Sequence, residues 1–366
     1  MDAPFEYVFP AIRGIQAGRE YYVSMCPLRL LPKIFLFNEE ELVPELRAQR
    51  LLNRGRLPEI ARYIVENRET YVFSAITASV DADVRFQPTE GSSEHSLVGL
   101  LHVPMNARFI INDGQHRRAA IETALRDAPE LADESIAVVF FHDKGLQRCQ
   151  QMFADLNRYA VRPARSLSVL YDHRDDKAML AKMVVAQLPA FRGLVEMERS
   201  TLSPRSRRLF TLSAIYTATG SLLENLDVEE PEERARISAG FWAGVTAQMP
   251  DWQAVQDGRM TSGEVREGFI HTHGVVLHAL GVVGNAILLE NKPVNWEQRL
   301  APLREVDWRR TSPSWEGRAT LGGRVSKSFQ NVILTSNALK TKLSIPLGAD
   351  EQRLEDAHMR GDHAAA

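Results

Sequence analysis

Residues Ile111–Ile121, "INDGQHRRAAI", put an Asp, a Gly, a Gln, a His and two Args in six consecutive positions. The run before them, Phe109–Ile111, is strand-like. In the run after them, Ile121, Ala124, Leu125 and Ala128 mark one helical face, and Pro129 limits the helix. A strand therefore meets a helix at a polar corner, and three readings fit: a helix start that holds a phosphate, a catalytic centre, or an ordinary turn with a charged face. Asn112 or Asp113 can cap the helix, since a short side-chain oxygen reaches the free N–H groups of its first turn. Gly114 can let a ligand approach the backbone, where first-turn N–H groups and the helix dipole attract an anion. His116, Arg117 and Arg118 would add donors beside it, and Arg suits bidentate phosphate contacts. Spacing alone equally allows a capped helix with a solvated Arg-His face, so the motif by itself does not decide.

The corner sits in a first half of mixed character. "YVFPAI", "QAGR" and "EYYVSM" spell two strands around a turn at Gly18. "LLPKIFLF" is expected as a third strand. Leu57–Asn67 has helical spacing at Ile60, Ile64 and Val65, with Pro58 in its first turn. Thr70–Val80, "SLVGLLHVP" and "RFIIN" are expected strands. Ser135–Phe141 is a continuous apolar run that suits a buried strand. After Gly145, residues Leu146, Cys149, Met152, Phe153 and Leu156 share a helix face.

From about Ser166 the pattern turns helical. Ile237, Phe241, Val245 and Met249 recur every four residues, and Phe269, Val276, Leu280, Val283 and Ile287 suggest a second long helix. The expected fold class is α+β. A mixed domain over 1–164 precedes a mainly helical one over 165–350, and 351–366 is expected as a flexible tail.

The chain has 366 residues, 44% hydrophobic and 25% charged, with a formal net charge of −3. A bulk polycation is excluded, so nucleic-acid binding would need a local basic patch. Arg299–Lys342 supplies one, with nine basic residues against three acids and with Trp308 and Trp315 among them. Arg199–Arg208 adds four Args and no acid. The two cysteines, Cys26 and Cys149, form no CxxC pair and suit a reduced, cytoplasmic protein in which both are buried. The N-terminal stretch lacks a signal-peptide core, and the most apolar window, Gly274–Glu290, falls short of a membrane span. "DHRDD" (Asp172–Asp176) suits a charged helix face better than a metal site. His271, His273 and His278 are spaced two and five apart and do not share a helix face as metal ligands would.

"DGQHRRAA" resembles the DGQHR signature of the DndB family of DNA phosphorothioation, or DNA sulfur modification, systems. "MFADLNRYAVRPARSLSVLYDHRD" (Met152–Asp175) is similar to that family's second block, and "WRRTSPSWEGR" (Trp308–Arg318) to its C-terminal block. The resemblance covers most of the chain. It implies a ParB/sulfiredoxin-like nucleotide-binding domain at the N-terminus, with Gly114, Gln115, His116 and Arg117 on the ParB-type box. Sulfiredoxins carry a catalytic Cys where this chain has Gln115, which excludes thiol chemistry.

The implied function is a DNA-binding transcriptional repressor of a DNA sulfur-modification gene cluster. Its partners would be double-stranded promoter or operator DNA and other modification proteins, with a homodimer suited to a palindromic operator. Expected DNA contacts are Arg205, Arg207, Arg208, Arg309, Arg310, Arg318, Arg324 and Lys327. Nucleotide, ATP or CTP with Mg²⁺, would gate binding at the corner. There Gly114, Arg117, Arg118, Asn157 and Arg158 would hold phosphate and Asp113 the metal. In the alternative, a ParB-like nucleotide hydrolase or nuclease, Asp113, Gln115, His116 and Arg117 are the catalytic candidates. The chain lacks a Walker A loop, and the "LNRYAVRP" spacing departs from the ParB-type box.

Overall fold

The computed structural model describes residues 5–35, 52–89, 96–142, 146–158, 163–290 and 293–361. The chain is α+β and divides into two compact units, Met1–Val161 and Arg162–Ala366.

The first unit is built on a seven-stranded sheet in the order β4-β5-β1-β2-β7-β3-β6. The strands are β1 (Glu6–Gln16), β2 (Arg19–Pro27), β3 (Ile76–Asp81), β4 (Arg85–Pro88), β5 (Val98–Pro104), β6 (Arg108–Asp113) and β7 (Ser135–His142). Neighbours are antiparallel except β3 and β7. The β1–β2 hairpin turns on Ala17 and Gly18, both with positive φ, the two-residue geometry that matches strand twist.

Phe9, Tyr22, Ile76, Val80, Leu101, Phe109, Ile111, Val138 and Phe140 form the core. Helices α1 (Leu31–Ile34), α2 (Leu57–Glu66) and α3 (Gln115–Asp127) supply its other wall. Against the opposite face, near β6, lies α4 (Leu146–Arg158), where Asn112 Nδ2 donates to Ser79 Oγ at 2.8 Å and lies 2.9 Å from the Met152 sulfur. Cys26 and Cys149 are both buried, as expected, and burial pushes the Cys26 thiol up to about 12.

Three expectations are corrected. Leu31–Ile34 is helix, not strand, because Pro32 has no N–H to give a sheet but fits a helix's first turn. Residues 36 and 37 of that expected strand lie outside the described residues. Of Thr70–Val80, only the part from Ile76 onward is strand. The expected tail is also helical, from Ala349 to Met359.

The second unit contains helices α5 (Arg165–Tyr171), α6 (Asp176–Gln187), α7 (Leu212–Leu222), α8 (Pro231–Ala247), α9 (Pro250–Gln256), α10 (Ser262–Gly268), α11 (Gly274–Leu288), α12 (Trp296–Leu300), α13 (Phe329–Lys342) and α14 (Ala349–Met359). Two short sheets complete it: β8 (Val195–Glu196) with β9 (Phe210–Thr211), and β10 (Thr320–Leu321) with β11 (Arg324–Val325).

Helix α11 is apolar on most sides, as a central helix must be. It crosses α7 so closely that a Cβ on Gly281 would lie 2.1 Å from the Ala218 carbonyl oxygen. Asp172 and Asp175 accept backbone N–H groups at the turn into α6, which accounts for "DHRDD". Trp308 and Trp315 are core residues, their rings stacked at 5.5 Å.

At the C-terminal end, the buried Arg318 guanidinium donates to the Leu334 carbonyl at 2.7 Å and is paired with both oxygens of Glu355 on α14. Lys340 likewise meets Glu351 at 2.5 Å. Removing one partner of such a pair strands a buried charge. Glu355→Ala should therefore lower stability by about 3 kcal/mol in urea unfolding, whereas a disordered tail would leave it unchanged.

His271 is fully buried. Its Nδ1 accepts from Trp252 Nε1, so Nε2 carries the proton toward Asp251, both at 3.0 Å. Desolvation holds its pKa below the ordinary 6.5 despite Asp251. The unfolded chain therefore binds the extra proton first, and the stability present above pH 6.5 is lost as pH falls, by up to about 1.4 kcal/mol per pH unit. A lower melting temperature at pH 5.5 than at 7.5 is expected, and equal values would refute this.

Candidate functional site

At the DGQHR corner, β6 pairs through Asp113 with Thr77, beside a register shift in which β6 carries the extra residue, Asn112. Gly114 then turns the chain with φ +111°, where a Cβ would come within 3.0 Å of Ile76. Glycine is required there by both conformation and space. Gly114 is itself the N-cap, with no side-chain cap. The expected caps are spent elsewhere. Asn112 is buried on Ser79, and the Asp113 carboxylate meets Arg117 at 2.7 Å. Both belong to the strand, so neither is placed to reach over the first turn.

Arg117 faces inward. It donates to the carbonyls of Ser74 (2.7 Å) and Ala75 (2.9 Å) and to the Ser74 hydroxyl, besides Asp113. These carbonyls belong to the stretch that was expected to be strand. Their acceptors are met by a guanidinium instead of a neighbouring strand, which is why β3 starts only at Ile76. Arg118 is buried, with Glu122 at 2.5 Å and the Pro32 carbonyl at 3.4 Å. Gln115 is buried, and His116 Nε2 accepts the Asn53 N–H at 3.0 Å.

Arg158 ends α4, exposed. The side chain of Asn157 lies outside the described residues. Among the described residues no group of three or more His, Cys, Asp or Glu is arranged to hold a metal. The Arg117 guanidinium is thus committed to acceptors within the fold, and Arg118 is held by Glu122 and the Pro32 carbonyl with its buried Nε unpaired.

The C-terminal basic block separates into two kinds of residue. Arg318 is held in the ion pair described above. Arg309 is exposed but forked onto Asp307 at 2.8 and 2.9 Å, which holds that carboxyl at about 2. Arg324 is exposed and without a side-chain partner among the described residues. Arg310 and Lys327 instead converge on a cavity of about 620 Å³, joined there by Arg165 and Arg266.

Sequence reasoning missed Arg165 and Arg266. They come from α5 and α10, far from the basic block in sequence, and no local spacing marks them. Arg266 is a fastener. It donates to the carbonyls of Ser203, Pro204 and Ser206 at 2.9 to 3.1 Å, pinning the 199–208 loop to the cavity wall. On that loop Arg205 and Arg207 are exposed with no side-chain partner among the described residues, while Arg208 is exposed and donates to the Gly193 carbonyl. Lys327 is exposed as a residue, and its ammonium lies 3.3 Å from where a Cβ on Gly274 would be. Desolvation by the walls, and then Arg165, hold its pKa below the ordinary lysine value.

The corner's rigidity is testable. Arg117→Lys offers one ammonium where a fork meets four acceptors, and should cost about 1–3 kcal/mol of stability in chemical unfolding. A fully stable Arg117→Lys variant would mean that the guanidinium is not a clamp.

No curated protein and no solved structure matches the chain. The family described as DndB, DNA-sulfur modification-associated, matches residues 9–346, nearly the whole chain. The sequence blocks that resemble this family thus include the Gly114 turn with its Arg117 clamp and the segment bearing Arg309, Arg310 and Arg318, and the chain belongs to the DndB family, associated with DNA sulfur modification.

Proposed function

We propose that this chain is a DNA-binding transcriptional regulator, a repressor, of a DNA phosphorothioate-modification gene cluster. The observation that carries the reading is the 199–208 loop. Four arginines and no acid stand on it, three of them (Arg199, Arg205 and Arg207) with no side-chain partner among the described residues, and Arg266 fixes its backbone. Cations left free on a fixed backbone suit phosphate contacts, because each one that neutralises a phosphate releases counterions. The net charge of −3 confines such contacts to patches of this kind.

We assign Arg205, Arg207, Arg208 and Arg324 to the duplex backbone. Arg309 is neutralised by Asp307, and Arg318 belongs to the fold. The enzyme reading loses its main support, since Arg117 is occupied by backbone acceptors. A repressor at an inverted repeat would act as a homodimer.

Electrophoretic shifts test this. The wild type should prefer its own promoter over random duplex at moderate salt. Replacing Arg205, Arg207 and Arg208 by Ala should reduce the slope of log K against log [salt] by about two to three. Absence of promoter preference, or an unchanged slope in the triple variant, would refute it.

A further inference from the structure

The cavity of the second unit has features that duplex binding does not use. Helix α11 begins at Gly274, on the cavity wall, and its N-cap His273 offers no side-chain cap. Hydrogen bonds of the first turn start with Val276 and Leu277, both onto the His273 carbonyl. The N–H groups of Gly274 and Val275 are thus unclaimed at the positive end of a fifteen-residue helix. Gly274 has no side chain to cover them.

Beside them is Thr272. It lines the cavity and is only 5% exposed, yet its hydroxyl has no partner. A buried hydroxyl left unpaired costs free energy that a ligand acceptor would recover. Arg310 adds a buried, unpartnered Nε. Its Nη2 rests on the Arg266 carbonyl at 2.8 Å, which holds the guanidinium at the wall. Lys327 brings an ammonium to the same helix end, and Arg165, stacked 5.6 Å from the Tyr216 ring centre, adds a further cation. Glu267 is the one acid in the lining among the described residues.

We propose that this cavity binds a small molecule through a terminal phosphate, seated on the N-terminus of α11 between Lys327 and Arg310, with the Thr272 hydroxyl as a donor. Convergent cations, free backbone N–H groups and an unpaired hydroxyl together match a phosphate's oxygens and charge. A terminal phosphate, rather than a duplex one, follows from burial. The Thr272 and Arg310 donors lie inside the wall, whereas a phosphodiester within a duplex is tethered on both sides and stays at the surface. The volume of about 620 Å³ has room for a nucleotide-sized body behind the phosphate.

The test uses the full chain without DNA, by calorimetric titration with pyrophosphate, adenosine 5′-monophosphate and adenosine. The two phosphates should bind and adenosine should not. Lys327→Ala should weaken binding about tenfold or more. The near-isosteric Thr272→Val should weaken it severalfold while leaving the ligand-free melting temperature within a degree or so. The proposal falls if neither phosphate binds, if adenosine binds as well as its monophosphate, or if both variants bind like the wild type. A blunt duplex with 5′-hydroxyl ends separates this site from the duplex contact. Its affinity should survive Lys327→Ala better than that of the monophosphate. If Lys327→Ala abolishes duplex binding and no small phosphate binds, the cavity is a duplex contact and this inference is wrong while the regulator reading stands.

Discussion

The second unit depends on one close contact, the crossing of α11 over α7. Gly281 lies against the Ala218 carbonyl, and Gly284 admits Leu222 and Phe241 within distances no larger residue would allow. Because the backbones nearly touch, α11 cannot slide or rotate without losing contact on several sides. Its apolar circumference, from Val275 to Ile287, is then committed to the core. That commitment fixes where its N-terminus emerges, and Thr272, His273 and Gly274 follow. The polar geometry of the cavity is therefore set by a packing constraint about two helical turns away.

Charge is used in two ways in this chain. Some cations are consumed as fasteners. Arg117 ties Ser74 and Ala75 to the DGQHR corner, Arg266 ties the 203–206 carbonyls, and Arg318 and Lys340 hold α14. Their charge is committed to acceptors inside the fold. Others stand with spare donors, namely Arg205, Arg207, Arg324 and Lys327. An inventory of basic residues mixes the two classes. Only the acceptors around each guanidinium separate them.

Much of the architecture was legible in the sequence. The helix at Leu57–Glu66, the strands at Val98–Pro104 and Arg108–Asp113, and the helix after Gly114 follow from periodicity and punctuation. Pro32 misled because an apolar run was weighed above the proline inside it. The start of β3 was misplaced because Arg117 takes the carbonyls a strand would offer, a long-range effect that no window contains. At the corner the residues were right but the roles were not. "DGQHR" looks like a set of free donors, and only the fold shows Arg117 turned inward. The cavity was hidden for a similar reason. Arg165, Arg266, Thr272, Arg310 and Lys327 come from segments spread over more than 160 positions, and their convergence is a property of packing alone.

The ion pairs of α14 also bear on how the chain is made. Arg318 and Lys340 are buried, and their partners Glu355 and Glu351 lie 37 and 11 residues further along the chain, on α14. During synthesis those cations leave the ribosome before their carboxylates do. The first unit has all its strands and helices in hand by Arg158, so it can fold while the rest is being translated. The second unit must wait for these two ion pairs until α14 has been synthesised. Vectorial folding thus divides this protein into an early half and a late half, and a nascent chain stalled before Glu351 would carry a finished sheet domain beside a helical one that cannot yet close.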